Sequence, residues 1–426
     1  MPAGDSHRAI NAVWRIEAAK VIGGLTRIVR DVGLAEDLAQ EALVNALEQW
    51  PVSGIPSNPG AWLMAAAKRR AIDHFRHHQR TNRKHEEIAR NLLAIERTHP
   101  DWDTPLDDPI GDDLLRLIFI SCHPILSAEA RAALTLRVVG GLTTDEIARA
   151  FLVPEPTIAQ RIVRAKRTLT QKKIPFEVPR GLDLATRLAS VLEVIYLIFN
   201  EGYSATAGED LMRVALCEEA LRLGRILAEL EPGKPEVHGL VALMEIQASR
   251  SHARIGAGGE PILLLDQNRA QWDRLLIRRG LAALDRAAAL SSTKGFYRLQ
   301  AEIAACHARA LSAAETDWSR IVSLYDELAS LNQSPIIELN RAVAVSMASG
   351  PEAALLLLDP LLTDPLMKSY HLLPSVRGDL LARLGRHAEA RAEFERAASL
   401  TRNLREQALL VARARSSEQK VIETTQ

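Results

Sequence analysis

Aromatic side chains are scarce in this 426-residue chain, with Phe, Trp and Tyr together at 4%. Nowhere do Val, Ile, Thr and Tyr alternate with polar residues over a strand's length, so a β-rich architecture is excluded. Leu, Ala, Arg and Glu fill the sequence instead, and they favour helix. Cysteine is rarer still: Cys122, Cys217 and Cys306 are odd in number and far apart, which excludes a disulfide framework and fits a reducing compartment. Cys122-His123 and Cys306-His307 lack ligand-spaced partners, so no metal is expected. The most apolar run, "LASVLEVIYLIF", is too short for a membrane span and carries Glu193. With no apolar signal segment after a basic start, the chain reads as cytoplasmic. No phosphate loop, paired-carboxylate setting or nucleophile motif stands out, so neither a catalytic residue nor a cofactor is expected.

Net charge is also missing: 53 Lys and Arg balance 53 Asp and Glu. The distribution is uneven, however. Residues 61–90 hold eight basic residues against three acids, and residues 154–173 hold six against one. Two basic islands in a neutral chain point to two separate contacts with a polyanion. The length exceeds one compact core, and 47% hydrophobic residues supply enough apolar mass for two to four domains.

Hydrophobic periodicity predicts helices over most of the chain. "AVWRIEAAKVIGGLTRIV" is followed by a turn at Asp31-Val32-Gly33 and then by "DLAQEALVNALEQW". That second segment has an apolar stripe of Leu38, Ala42, Leu43, Ala46 and Leu47, and a polar face of Glu36, Asp37, Gln40 and Glu41. Residues 51–60 read as a Pro/Gly loop. "THPDWDTPLDDPIGDD" reads as an acidic linker, and "KKIPFEVPRG" as a second break. The division expected is 1–90, a linker at 91–110, 111–173, a linker at 174–182, and a helical region over 183–426.

In "LTTDEIARAFLVPEPTIAQRIVRAKRTL", Thr143 and Glu146 form a capping box that starts a helix with Ile147, Ala148 and Phe151 on its buried face. Pro154 ends that helix, and Pro156 suits the first turn of the next. There Ile158, Ile162, Ala165 and Leu169 share one face, while Thr157, Gln160, Arg161 and Arg164 share the other, with Arg167 beyond. This is the helix-turn-helix arrangement, with Arg161 and Arg164 as base or phosphate contacts and Gln160 as an adenine reader. The alternative is a solvated helix, but such helices mix charge signs and this one has no acid after Glu155.

In the other island, "NPGAWLMAAAKRRAIDHFRHHQR", Ala61, Met64, Ala65, Ile72 and Phe75 can face a core. Lys68, Arg69, Arg70, Arg76 and Arg80 crowd elsewhere, beside Trp62. Basic residues beside an aromatic suit single-stranded or melting DNA. Core packing or a helix cap is the other reading for Trp62. His74 and His78 have helical spacing but no acid or Cys to complete a metal site.

Two basic helical modules joined by an acidic linker resemble an alternative RNA polymerase sigma factor of the extracytoplasmic-function (ECF) group of the sigma-70 family. The resemblance covers about the first 170 residues, with three motifs in order. "DLAQEALVNALEQW" resembles the region-two segment that docks on the beta-prime clamp of core polymerase, which implies core-binding roles for Asp37, Gln40, Glu41 and Asn45. The first island is similar to the part of region two that melts and binds the minus-ten element. The helix-turn-helix resembles region four, reader of the minus-thirty-five element. One departure is Leu152, where the family's turn has glycine.

"FISCHPIL", "IFNEGYSA", "LLLDQNRAQWDR" and "IELNRAVAV" resemble the subgroup with a C-terminal extension of tetratricopeptide-like (TPR) repeats, thought there to set activity. In "YHLLPSVRGDLLARLGRHAEARAEFERAASL", Gly378, Leu381, a turn at Gly385, Ala390, Phe394 and Ala397 fit the repeat's alternation of small and large residues. Residues 335–362 fit more loosely, and 296–335 more loosely again. Asn200, Glu201, Gly202 and Tyr203 form one polar-aromatic cluster, and Asp266, Asn268, Arg269, Trp272 and Asp273 a second. They read as turns and packing, or as a regulatory surface for the sigma modules or a small signal.

The expectation is an all-α promoter-specificity subunit without catalytic activity. Its partners would be the beta-prime clamp and beta subunit of core RNA polymerase, promoter DNA, and its own extension through an intramolecular contact. A bacterial cytoplasmic location, on the nucleoid when bound to polymerase, follows. A helix-turn-helix activator with TPR repeats would leave the first island without work. A protein-binding scaffold would leave both islands unexplained.

Overall fold

In the computed structural model of the protein, the described residues are 3–78, 109–151, 153–204, 207–208 and 210–425. They form eighteen α-helices, a few 3-10 turns and one pair of two-residue strands, so the fold is all-α as expected. None of these helices is long and apolar enough to cross a membrane. The chain divides into two compact units, Met1–Leu197 and Ile198–Gln426.

In the first unit α1 (Ala3–Val29), α2 (Val32–Ser53) and α3 (Pro59–His78) all touch one another. Their spacing explains why. Ala35, Ala39, Ala42 and Ala46 recur along α2 and are fully buried, so neighbouring backbones can approach closely. Leu63, Ala67, Ala71 and Phe75 recur every four residues on α3, and Ala18, Ile22 and Leu25 run along α1. Leu63, Ala67 and Ala71 are not among the core residues expected there; Ala61, Met64 and Ala65, which are, turn out only half-buried. The turn between α1 and α2 uses a left-handed Arg30, and Asp31 caps α2 by accepting from the Leu34 N–H at 2.8 Å.

The loop expected at 51–60 is shorter than its prolines suggest. Helix α2 runs through Pro51 to Ser53, because a proline in the last turn forfeits one hydrogen bond without ending the helix. Gly54, at φ 84°, closes it with an N–H to Trp50 O bond of 2.9 Å. Asn58 then caps α3, its Oδ1 accepting from the Ala61 N–H at 3.0 Å.

The same unit holds α4 (Pro109–Ser121), α5 (Ala128–Val138), α6 (Thr144–Phe151) and α7 (Glu155–Gln171). These helices are not separate from the first three: α1 touches α4 and α5, and α2 touches α7. At Gly23 on α1 a Cβ would lie 3.0 Å from Asp113 O, so the close α1–α4 approach leaves little room for a side chain there. The start of α8 (Leu182–Tyr203) also belongs here. The Ser190 hydroxyl donates to Cys122 O at 2.6 Å, Arg187 donates to Phe119 O at 2.8 Å, and Glu193 pairs with the buried Arg131 at 3.0 Å. Compactness therefore divides the chain at Leu197/Ile198, fifteen residues past the break read at 174–182. The acidic linker up to residue 108 lies outside the described residues.

In the second unit α9 (Val214–Leu230), α10 (Pro235–Ala248), α11 (Arg274–Leu290) and α12 (Phe296–Arg309) each pack on the next. The succession continues through α13 (Trp318–Leu331), α14 (Pro335–Ser349) and α15 (Pro351–Leu358). It ends with α16 (Leu372–Arg383), α17 (His387–Leu400) and α18 (Leu404–Thr425). The pair α16–α17 is the best-fitting repeat of the sequence. Gly385 turns at φ 75°, and Leu381, Ala390, Phe394 and Ala397 share one core. A Cβ on Gly378 would sit 2.8 Å from the Phe394 ring, so ring and glycine are fitted to each other.

Gly378→Val is accordingly expected to destabilise the unit by about 1–3 kcal/mol. Urea unfolding checks this; an unchanged midpoint would mean that Phe394 yields without cost.

Unforeseen in the sequence, Ala207–Gly208 (β1) pairs in parallel with Arg402–Asn403 (β2), and the Asn403 side-chain amide donates to Asp210 O at 2.9 Å. The first and last parts of the second unit are thus tied together, which an open stack of repeats would not do.

Candidate nucleic-acid interface

The helix-turn-helix forms from local interactions. The Glu146 N–H donates to Thr143 Oγ1 at 3.1 Å and the Thr143 N–H to Glu146 Oε2 at 2.8 Å, a complete capping box. The turn follows with Val153 N–H to Ala148 O at 3.1 Å and Thr157 N–H to Pro154 O at 2.9 Å. Leu152 lies outside the described residues. On α7, Ile158, Ile162, Ala165 and Leu169 are all buried. Gln160, Arg164 and Arg167 are exposed on the opposite side, with Thr157 and Arg161 half-buried beside them. A helix with one apolar face buried and Arg and Gln presented near its N-terminal half can enter a major groove and bond base edges and phosphates.

Lys166 does not belong to that free basic face. Its ammonium reaches across to α2, 3.1 Å from Asp37 Oδ1 and in direct contact with Glu36. The sequence alone places Glu36 on a solvent-facing polar side, and the structure corrects this. It is 3% exposed, because Arg137 from α5 bonds its other oxygen at 2.8 Å while Lys166 holds the first. A buried carboxylate persists as an ion only when so paired. Thr170 adds a hydroxyl bond to Asp31 at 2.8 Å. Helix α7 is thereby fastened to α2.

The residues expected to bind polymerase lie along α2: Asp37 and Glu41 exposed, Gln40 and Asn45 half-buried. Several already have partners. Asp37 holds Lys166, while Glu41 and Asn45 face Arg70 of α3 at 3.5 and 3.3 Å. The Glu41–Arg70 pair is exposed and contributes at most about 1 kcal/mol, so a partner can replace it easily.

On α3, Arg69, Arg70 and Arg76 are exposed. Among the described residues, Arg76 has a 4.0 Å contact with Asp73 and no other ion pair. Lys68 is half-buried, and burial with the Arg27 guanidinium nearby holds its ammonium below the ordinary lysine range. Arg80 lies outside the described residues. Trp62 stacks edge-on against Trp50 with ring centroids 5.2 Å apart, so the packing reading accounts for it, yet it remains half-exposed at the start of α3. A cleft of about 530 Å³ opens between α3, α2 and α7, lined by His74, Asp37, Val163 and Arg167 among others.

In the second unit, the two polar-aromatic clusters separate into structural and unassigned parts. Asp273 caps α11, accepting from Leu275 and Leu276 N–H at 2.8 and 3.0 Å, and Asn268 caps a short 3-10 turn at 3.0 Å. Gly202 packs against Cys217, and Asn200 and Asp266 are exposed. Tyr203, Arg269 and Trp272 instead come together around Arg250 and Arg254, two residues that sequence reasoning does not single out.

Asp273→Ala is expected to cost about 1 kcal/mol through loss of a doubly bonded cap. Thermal unfolding checks it, and Asp273→Asn should retain most of the stability.

Comparison with known proteins agrees with this layout. Residues 15–81 match the family described as Sigma-70 region 2, and residues 116–169 match Sigma-70, region 4. Residues 187–288 match a family of unknown function, DUF6596. An uncharacterised protein of Rhizobium meliloti (strain 1021) is 44% identical over 92% of both chains. The ECF RNA polymerase sigma factor SigK of Mycobacterium tuberculosis (strain ATCC 25618 / H37Rv) is 30% identical over 39% of this chain and 87% of its own length. The probable ECF RNA polymerase sigma factor SigI of the same strain is 28% identical over 40% of this chain, a match spanning 57% of SigI. The chain belongs to the ECF sigma factors of the sigma-70 family, with a helical unit beyond the sigma regions.

Proposed function

We propose that this chain directs core RNA polymerase to particular promoters, with the C-terminal helical unit setting its activity. Region two would span 1–90 and region four 111–173, joined by the linker at 91–110. In this reading α2 docks on the beta-prime clamp through Asp37, Gln40, Glu41 and Asn45. Helix α3 captures the melted minus-ten strand with Trp62, Lys68, Arg69, Arg70 and Arg76, joined by Arg80. Helix α7 reads the minus-thirty-five duplex with Thr157, Gln160, Arg161, Arg164 and Arg167. The polymerase supplies the chemistry, in the bacterial cytoplasm.

The observation that carries the reading is α7 itself, a capped helix-turn-helix whose exposed face is Gln160, Arg164 and Arg167. Co-purification with bacterial core polymerase, followed by promoter-directed transcription in vitro, tests it. Binding with new initiation supports the proposal; absence of core binding by full-length and truncated chains would favour a helix-turn-helix activator instead.

Activity control by the second unit has its own test. A cut after Lys173 would strip Ser190, which accepts from Arg131, and Glu193 from that buried guanidinium, so the truncation belongs after Leu197. That truncated chain is expected to bind core polymerase and to initiate at a changed rate. An unchanged rate would make the second unit a passenger.

A further inference from the structure

Three arginines meet in the second unit with no acid paired to them at close range. Arg250, Arg254 and Arg269 have no carboxylate within ion-pair distance among the described residues. Arg269 is 6% exposed and is held by neutral oxygens alone: His307 O at 2.8 Å, Ala310 O at 2.9 Å and Thr316 Oγ1 at 2.9 Å. Arg254 lies 3.8 Å over the Tyr203 ring and donates to the Tyr203 carbonyl. Arg250 is placed between two rings, 5.8 Å from the centroids of both Tyr203 and Trp272.

Among the described residues, several buried polar atoms here find no hydrogen-bond partner: the Nε atoms of Arg250 and Arg269, Trp272 Nε1 and His307 Nδ1. Glu406 and Glu315 act on Arg254 and Arg269 through their charge, but neither is paired with them. Glu406 is held by His371 at 3.1 Å and Thr401 at 3.0 Å, and Glu201 pairs with Arg213. Burial, with Arg250 and Arg269 beside it, holds His307 down at about 3. Cation–π contacts orient a guanidinium but do not neutralise it. Unbalanced charge in a partly buried place is costly, so an anion that joins these three cations stabilises the unit. Arg250, Arg254 and Tyr203 are half-buried, which leaves that anion a way in.

We infer that Arg250, Arg254 and Arg269, framed by Tyr203 and Trp272, form a binding site for a small-molecule anion carrying a carboxylate or phosphate group. The planar guanidinium fork is suited to both groups. The site draws on the end of α8, the segment after α10 and the loop before α11, so an occupant would bridge three chain segments. It does not depend on the sigma reading and is tested without polymerase.

The test is thermal unfolding of the full-length chain with sodium phosphate or sodium citrate, against sodium chloride at matched ionic strength. At saturating probe the midpoint is expected to rise by roughly 5 °C over the chloride control. A rise with phosphate alone assigns a phosphoryl ligand, and a rise with citrate alone a carboxylate. Arg250→Met keeps the apolar stem and removes the charge. It should abolish the rise, and without probe it should unfold no earlier than the parent, because it relieves repulsion. A purely structural Arg250 predicts the opposite, a lower midpoint without probe. The site is overturned if neither anion stabilises the parent, or if Arg250→Met keeps the full response, which would place binding on the basic sigma helices.

Discussion

Replacing Arg161 and Arg164 together by alanine is expected to lower transcription from the cognate promoter by roughly 100-fold, with core polymerase co-purifying as before. The magnitude follows from about 1–3 kcal/mol for each base or phosphate interaction that the two substitutions abolish. The separation of effects follows from the structure. The apolar stripe Ile158, Ile162, Ala165 and Leu169 that seats α7 is untouched, and the expected polymerase contacts lie on α2. Transcription should also become less sensitive to salt, by about one unit of slope for each phosphate no longer neutralised. Circular dichroism would show the helices intact. Loss of core binding in this variant, or full transcription, would overturn the role given to α7.

How much of this is legible in the sequence depends on distance along the chain. The helix-turn-helix is fully readable, because its capping box, prolines and apolar period act within a turn or two: Thr143 needs only Glu146, and Ile158 only Ile162 and Leu169. Glu36 is misread for the converse reason. Its partners Arg137 and Lys166 are 101 and 130 residues away, so no local pattern distinguishes it from the exposed Asp37 beside it. Pro51 reads as a breaker, although a last-turn proline costs a single bond. Trp272 and Arg269 stand out in the sequence as an odd pair. Arg250 and Arg254, which complete their surroundings, look there like ordinary solvated arginines. The β1–β2 pairing joins residues nearly two hundred positions apart and leaves no signal in so short a stretch.

The fastening of α7 to α2 bears directly on how a sigma factor would work. Minus-ten and minus-thirty-five elements are separated by about 25 base pairs, or roughly 85 Å of duplex at about 3.4 Å per step. Lys166 on α7 lies 3.1 Å from Asp37 on the helix against which α3 packs. One unit in this arrangement cannot hold both elements at once. On the proposed reading the first unit opens before both elements are engaged, and the described form is a closed state in which α3 and α7 share one cleft.

Glu36→Gln tests that conclusion. The substitution keeps the shape but leaves Arg137 and Lys166 without their shared anion in a mostly buried place. Removing one partner from a buried pair costs about 3–5 kcal/mol, and that cost falls on the closed form alone, since all three groups regain water on opening. At the lower figure the open-to-closed ratio rises roughly 150-fold. Fluorophores on cysteines placed at Val52 of α2 and Val163 of α7, both strongly exposed, would report it by energy transfer. Transfer should be high in the free parent protein, lower in free Glu36→Gln, and low for both once core polymerase and promoter are bound. Replacing all three groups by apolar residues (Glu36→Leu, Arg137→Met and Lys166→Met) should restore the closed form, because a packed apolar cluster replaces a buried ion group at little cost. Transfer that stays high in the assembled initiation complex would mean that the closed unit itself engages the promoter, and the opening step would have to be abandoned.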